Sequence, residues 1–310
     1  MAYSAAMSST PQSHSNAIAA ARALGSEAAG GDVSRFDAVV SFVLYRTAVT
    51  EIRAAIDQVL ASAGNYHVVL VDNSVPPLDL TAFACSDVTV IQAGANIGYG
   101  SGHNLALRRF ANAAAYHLVL NTDLEFGPDV IPGLIAFMDA RPGTGLAMPQ
   151  VRYPNGDLQH LCRILPRPVD IFARGLLPDH RWTKALTRRY EAHDWSYDKA
   201  LSFPFLSGCF MILRPQALDR VGLFDERFFM FAEDLDLSRR LHRISETMLC
   251  PSVSIVHEYR TKTASNWRRK LYLVRSFIRY FNKYGWFFDR ERTAMNRRAL
   301  DRVGNLATGD

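Results

Sequence analysis

Apolar residues along this chain fall into short continuous runs that alternate with longer stretches of helical spacing. AVVSFVLY (38–45) is a valine-rich run and predicts a buried strand. TEIRAAIDQVLASAG (50–64) sets Ile52, Ile56, Val59 and Leu60 on one helical face, with Gly64 as a stop. YHVVLVDNS (66–74), VTVIQAG (88–94) and YHLVLNTD (116–123) predict three further strands, and GYGSGHNLALRRFAN (98–112) a helix opened by glycines. Strands separated by helices imply right-handed crossovers and a largely parallel sheet. Ligands of such sheets sit beyond the carboxyl ends of the strands. That rule points to the loop after Tyr45, to Asp72, Asn73 and Ser74, and to Asn121, Thr122 and Asp123.

The second half is less regular. RYPNGDLQH (152–160) predicts a hairpin with Asn155-Gly156 at its turn, and the Arg- and Pro-containing stretch from 163 to about 200 a long, partly mobile insertion. FLSGCFMILRPQALDRVGLFDE (205–226) predicts a buried strand, a helix after Pro215 and a turn. SVSIVHE (252–258) follows as a strand, and NWRRKLYLVRSFIRYFNKYG (266–285) as a basic, aromatic helix. The start of the chain is rich in Ala, Ser and Gly and lacks a basic segment followed by an unbroken apolar run, so a disordered tail is expected there, not a secretory signal. The expected organisation is a tail over 1–36, an α/β domain over 37–262 and a basic, amphipathic C-terminal helical region over 263–310.

Composition narrows the class. With 310 residues, 48% hydrophobic and 21% charged, the chain can bury one large α/β core or two smaller ones, which excludes a fibrous or wholly disordered protein. A net charge of +5 is too modest to define a partner by itself. Cys85, Cys162, Cys209 and Cys250 are scattered without CxxC spacing, so neither a zinc site nor a disulfide framework is expected, and a reducing compartment is the simpler reading. No apolar run reaches the roughly 18–20 residues that span a bilayer.

The densest candidate chemistry is FFMFAEDLDLSRRL (228–241), where an aromatic run meets Glu233, Asp234 and Asp236 at the expected start of a helix. Negative charge there is favourable by about 0.3–1 kcal/mol. Asp236 faces Arg239 and Arg240 at i+3 and i+4, which predicts a solvated ion pair. Glu233 and Asp234 have no such partner and sit beside apolar walls. A carboxylate held ionised at a helix N-terminus suits a base that takes a proton from an attacking hydroxyl. Asp72 and Asn73 read most simply as an Asx-type turn, or else as a reader of a uracil or thymine imide. The glycine-rich AGANIGYGSGHN (93–104) allows close approach of backbone to a diphosphate. Asp123 is a loop residue or one of the few carboxylates with which Mg²⁺ bridges a diphosphate, and His257 is a second potential ligand.

VDNS, NIGYGSGHN, LNTD and above all GCFMILRPQALDRVGLFDERFFMFAEDLDLSRRL, in this order and at these separations, resemble family 2 glycosyltransferases of the GT-A fold, nearest their rhamnosyltransferase-like branch. The resemblance spans roughly residues 37 to 285. It implies an inverting transferase with a nucleotide-diphosphate sugar donor, favouring dTDP-rhamnose, and a glycan or polyprenyl-linked acceptor in cell-envelope polysaccharide assembly. It also implies Mg²⁺ or Mn²⁺; a cytoplasmic place, peripheral at the inner face of the membrane, is expected from the cysteine pattern and the basic C-terminal helix. Carried onto this chain, Asp234 is the general base with Glu233 beside it. Asp72, Asn73, Asn96, Gly98, Asn104, Asn121 and Asp123 lie on the nucleotide side, and Asp123 and His257 on the metal side. Asn121-Thr122-Asp123 stands where many GT-A enzymes have Asp-x-Asp.

Other classes fit less well. A sugar-nucleotide-forming nucleotidyltransferase would place a glycine-rich basic loop after its first strand, whereas YRTAVTE has only Arg46 and no glycine. A non-catalytic nucleotide-sugar scaffold would have no need of Asp123, Asp234 and His257 together. The C-terminal helix, with Trp267, Leu271, Phe277, Tyr280 and Phe281 among six Arg and Lys residues, reads either as packing against the domain or as contact with an anionic membrane. No nucleic-acid recognition signature accompanies it.

Overall fold

A computed structural model of the chain describes residues 36–176, 180–195, 197–258 and 267–308. Apart from Phe36, the expected N-terminal tail lies outside these residues. The first half alternates β1 (Phe36–Leu44), α1 (Val49–Leu60), β2 (Tyr66–Asp72), β3 (Val88–Gln92), α2 (Tyr99–Arg109) and β4 (Ala114–Leu120). The alternation expected from the apolar runs is thus present, with the strands ending one to three residues earlier than expected. Next come β5 (Leu124–Glu125), α3 (Val130–Asp139), β6 (Thr144–Arg152), β7 (Cys162–Arg163), α4 (Pro168–Leu176) and α5 (Arg181–Tyr190). The described part ends with β8 (Phe205–Leu206), β9 (Phe210–Leu213), α6 (Pro215–Val221), α7 (Glu233–His242), β10 (Glu246–His257), α8 (Trp267–Tyr284) and α9 (Arg290–Thr308).

Eight strands form one sheet in the order β3-β2-β1-β4-β9-β6-β10-β5. β1 is parallel to β2 and β4, β2 to β3, and β6 to β10, whereas β9 runs antiparallel to both β4 and β6. Continuous apolar runs serve this sheet because helices cover both faces. Val40, Phe42, Val68 and Leu70 pack with Ile52 and Ile56 of α1 on one face. Val39, Val69, Val71 and Ile91 pack with Leu105 of α2 on the other. Parallel pairing brings Leu44 opposite Asp72 and Phe42 opposite Leu120, so the loops after β1, β2 and β4 open at one rim.

One expectation is corrected. The stretch from 163 to about 200 is not a loose insertion: it contains α4 and α5, and Tyr190, Trp195 and Tyr197 are buried in the main core. Aromatic residues outnumber breakers there, and it is their burial that orders the segment. The C-terminal region holds a second helix, α9, and both helices join the domain core through Phe277, Tyr280, Phe281, Met295, Ala299 and Val303. Asn296 fastens α9 to Leu165, donating to its carbonyl at 2.8 Å and accepting from its N–H at 2.7 Å. The turn at 155–156 forms as expected, with Gly156 at φ +89° and the Tyr153 N–H bonded to the Asp157 carbonyl at 2.8 Å. No helix among the described residues is long and apolar enough to cross a membrane.

Candidate active site

The acidic motif is aimed by strained backbone. Phe231 and Ala232 both adopt left-handed conformations, at φ +68° and +64°, immediately before α7 begins at Glu233. Each such residue costs about 1–3 kcal/mol and persists only where its surroundings impose it. Here they do: α8 grips the turn, with Ser276 Oγ donating to the Met230 carbonyl at 2.8 Å and the tilted Tyr272 and Phe229 rings packed with their centroids 4.7 Å apart. The reversal points the first turn of α7 at the open rim of the sheet.

Asp234 is half-buried and held by two backbone donors, Gly208 N–H at 2.9 Å and Leu235 N–H at 2.8 Å. A side chain at position 208 would meet Asp234 Cβ at 3.0 Å, which is why the strand turn there carries glycine. Burial pushes the Asp234 carboxyl up, against the pull of these N–H groups and of the Arg163 charge. Glu233 is buried, and its Oε2 has no hydrogen-bond partner. Burial, reinforced by the Asp234 charge, pushes its carboxyl well above the usual range. Two adjacent carboxyls in a low-dielectric wall oppose each other's ionisation, and Glu233 holds its proton the more tightly.

Gly208 joins this motif to the sheet rim. Its carbonyl accepts from Tyr99 Oη at 2.8 Å, and Tyr99 Oη also lies 2.9 Å from Asn121 Oδ1. Asn121 in turn supports Asp123, whose carboxyl burial pushes up while His257 and Asn121 pull it to a net value below the ordinary one. Asp123 Oδ1 stands 3.5 Å from His257 Nε2. Register explains the meeting, because β5 pairs with β10 so that His257 lies opposite Leu124. Gln159 orients the imidazole: its Nε2 donates to the His257 carbonyl at 2.8 Å, leaving Oε1 to accept from Nδ1 at 3.1 Å. Nε2 thus turns its lone pair toward a carboxylate oxygen unless a proton or a metal ion sits between them. A carboxylate and an oriented imidazole are a donor pair that fits a divalent cation completed by phosphate oxygens and water.

The nucleotide-side residues divide. Asp72 accepts from Ser74 N–H at 2.8 Å and Leu78 N–H at 2.7 Å, the turn role of the simpler reading. Asn73 donates to the Gly98 carbonyl at 3.0 Å, and its buried Oδ1 has no partner. Asn96 Oδ1 accepts from Gly98 N–H at 3.2 Å. Gly98, at φ +94°, lies so close to Phe229 that a side chain would strike its carbonyl oxygen at 2.3 Å. The glycine loop therefore packs directly on the aromatic run before α7. Asn104 faces elsewhere: its amide is engaged with Phe224 N–H and carbonyl and with Glu226, holding the strap that leads to that run. Asp236, expected in a solvated ion pair, has no exposure at all.

Sequence reasoning did not single out Tyr99, Gln159, Arg163 or Gly208 as site residues. Tyr99, Gln159 and Gly208 fall inside motifs that were read for other reasons, but each acts through a contact across 22 to 109 positions. Arg163 lay in the stretch read as an insertion.

This sheet order and rim are those of a GT-A glycosyltransferase. The profile of Glycosyl transferase family 2 matches residues 43–222, more than half of the chain, and the chain belongs to that family. It is 28% identical over 186 residues to the N-acetylglucosaminyl-diphospho-decaprenol L-rhamnosyltransferase of Mycobacterium tuberculosis, covering 55% of this chain and 59% of that one. The match thus spans little more than half the length of that relative. Among solved structures, GalNAc-T7 with UDP, GalNAc and Mn²⁺ superposes with a TM-score of 0.55 at 12% identity, over 81% of this chain and 48% of the other. The mannosyltransferase PcManGT from Pyrobaculum calidifontis, in complex with GDP-Man and Mn²⁺, superposes with a TM-score of 0.53 at 17% identity, over 96% and 85%. At these identities the two structures attest to the fold.

Proposed function

We propose that this protein is an inverting glycosyltransferase that moves a sugar, with L-rhamnose from dTDP-rhamnose the favoured donor, to a hydroxyl of a polyprenyl-linked or other glycan acceptor in cell-envelope polysaccharide assembly. The observation that carries the reading is the linkage of Asp234 to Asp123 through Gly208, Tyr99 and Asn121 at the rim where donors of α/β sheets bind. The L-rhamnosyl transfer named for the mycobacterial relative supports the donor and the lipid-linked acceptor. Mn²⁺ in both structural neighbours supports the cation.

In this mechanism Asp234 accepts the proton of the acceptor hydroxyl as its oxygen bonds to the anomeric carbon and the bond from that carbon to the diphosphate oxygen breaks. Attack opposite the leaving group inverts the centre. A base raised by burial but still ionised is better matched to a hydroxyl than an ordinary aspartate, and general-base help contributes about 10²–10⁴-fold. Glu233, whose carboxyl holds its proton more tightly, leaves the negative charge to Asp234. Asp123 and His257 would hold a divalent cation, which when bound neutralises charge on the departing diphosphate. Asp72, Asn73, Asn96 and Gly98 form the donor side, with Asn104 supporting from behind. All of these residues fall within 37–262, braced by the C-terminal helices.

The test is incubation with dTDP-, UDP- and GDP-sugars and Mg²⁺ or Mn²⁺, reading nucleoside diphosphate release and the anomeric configuration of the product. Cation-dependent release from dTDP-rhamnose with inversion is expected. Formation of nucleotide sugar from a nucleoside triphosphate would make the protein a nucleotidyltransferase, and binding without turnover a scaffold.

A further inference from the structure

α8 has two apolar faces, and the fold uses one. Leu273, Phe277, Tyr280, Phe281 and Tyr284 pack into the core. On the other side Trp267, Leu271, Val274 and Ile278, spaced i, i+4, i+7 and i+11, are exposed to 65%, 43%, 37% and 38%. Phe287 and Phe288, just past the helix, are exposed to 80% and 97%. A continuous apolar stripe of this kind on an otherwise polar surface marks a place where something else binds.

The charge around the stripe says what. Residues 267 to 288 include Arg268, Arg269, Lys270, Arg275, Arg279 and Lys283 and no Asp or Glu. Lys283 is engaged with Asp225 and Asp236, and Arg279 with the Arg227 carbonyl. Arg268, Lys270 and Arg275 are exposed. At 3.6 residues per turn, Lys270 falls on one side of the stripe and Arg268 and Arg275 on the other. Apolar side chains between two cationic borders fit a helix lying in the headgroup layer of an anionic bilayer. A second copy of this chain would oppose like charges across the same face.

We infer that the outward face of α8, extended by Phe287 and Phe288, docks this protein on an anionic lipid surface and so sets the orientation of the acidic turn to the membrane. α8 touches that turn directly through Ser276 and Tyr272, so a docked helix holds Asp234 near the bilayer surface, where the headgroup sugar of a lipid-linked acceptor stands. The orientation rests on the lipid-linked acceptor proposed above. The docking itself does not.

The experiment is flotation of the full chain with vesicles of phosphatidylcholine alone or mixed with phosphatidylglycerol, read alongside sugar-nucleotide hydrolysis in solution without vesicles. Co-flotation with the anionic vesicles only, weakening with salt, is expected. The double variant Leu271→Asp/Ile278→Asp should lose it. Lys270→Glu/Arg275→Glu, which leaves the apolar stripe intact, should weaken it by about 30-fold or more. Both should keep wild-type hydrolysis and melting temperature. Absence of flotation by the wild type, flotation that both variants retain, or a dimer in sedimentation that the Asp variant dissolves would each overturn the inference. Loss of turnover with every donor, with flotation intact, would instead overturn the transferase reading and leave the docking face standing.

Discussion

Glu233 and Asp236 lie three residues apart in the first turn of one helix, exposed to 5% and 0%, and meet opposite surroundings. Asp236 is saturated: Arg240 Nε reaches it at 2.8 Å, Lys283 Nζ at 2.5 Å and Tyr284 Oη at 2.7 Å. Its neighbour Arg239, almost wholly buried, is equally well matched, with Asp289 at 2.7 Å, Glu291 at 2.7 Å and Tyr280 Oη at 3.1 Å. Among the described residues, one Glu233 oxygen has no hydrogen-bond partner, and Asp234 accepts from two backbone N–H groups. The Asp236 end of the turn ties α7 to α8 and α9, whereas the other end has fewer partners for its carboxyls, as the proton transfer proposed for Asp234 would require. Burial alone does not tell a structural carboxylate from a reactive one.

The contrast is open to attack by substitution. The largest effect is expected from Asp234→Asn, which should lower transfer by about 10²–10⁴-fold with donor affinity by calorimetry nearly unchanged. Equal losses in affinity and turnover would assign Asp234 to binding. Asp236→Asn should leave Lys283 and Arg240 facing a neutral amide and cost about 3–5 kcal/mol in urea unfolding, with turnover per folded molecule retained. A small cost would show that the helix does not depend on these ion pairs. Gln159→Ala frees the imidazole of His257 to rotate, and the divalent-cation concentration for half-maximal donor turnover should rise about 10–100-fold.

The smallest and most diagnostic effect is that of Glu233→Gln. The ordinary value of this carboxyl is 4.5, and the folded protein raises it. The unfolded chain therefore ionises first as pH rises, so the folded state is favoured fully below about 4.5 and loses that advantage progressively toward the folded value. Gln cannot ionise in either state. The melting-temperature gain of Glu233→Gln over wild type should therefore grow as pH rises above about 4.5. A gain that does not change with pH would mean that Glu233 is ionised in the fold.

Much of this architecture was legible locally. β1, β2 and β4 follow from unbroken apolar runs, and α1 and α2 from spacing and glycine stops, because a strand covered on both faces and a helix covered on one impose those patterns on neighbouring positions. α4 and α5 were not legible, since their aromatic residues are interrupted by Arg and Pro and find order only against the core. The acidic motif was visible as a conflict between charge and apolar flanks. The separation of Asp236 from Glu233 was not, because helical spacing offers Asp236 only Arg239 and Arg240, whereas Lys283 and Tyr284 arrive from about fifty positions away.

The chain alone therefore determined the α/β class, the sheet rim that carries the loops, and the side chains with suitable chemistry, since each depends on residues near in sequence. Tertiary structure decided which of those side chains act together. Asp123 meets His257 because β5 pairs with β10, and Asp234 meets the rim because Gly208 brings its N–H to it. Proton affinity followed from the same step, since the energy of a carboxylate is set by the donors and the dielectric around it, and the fold supplies both.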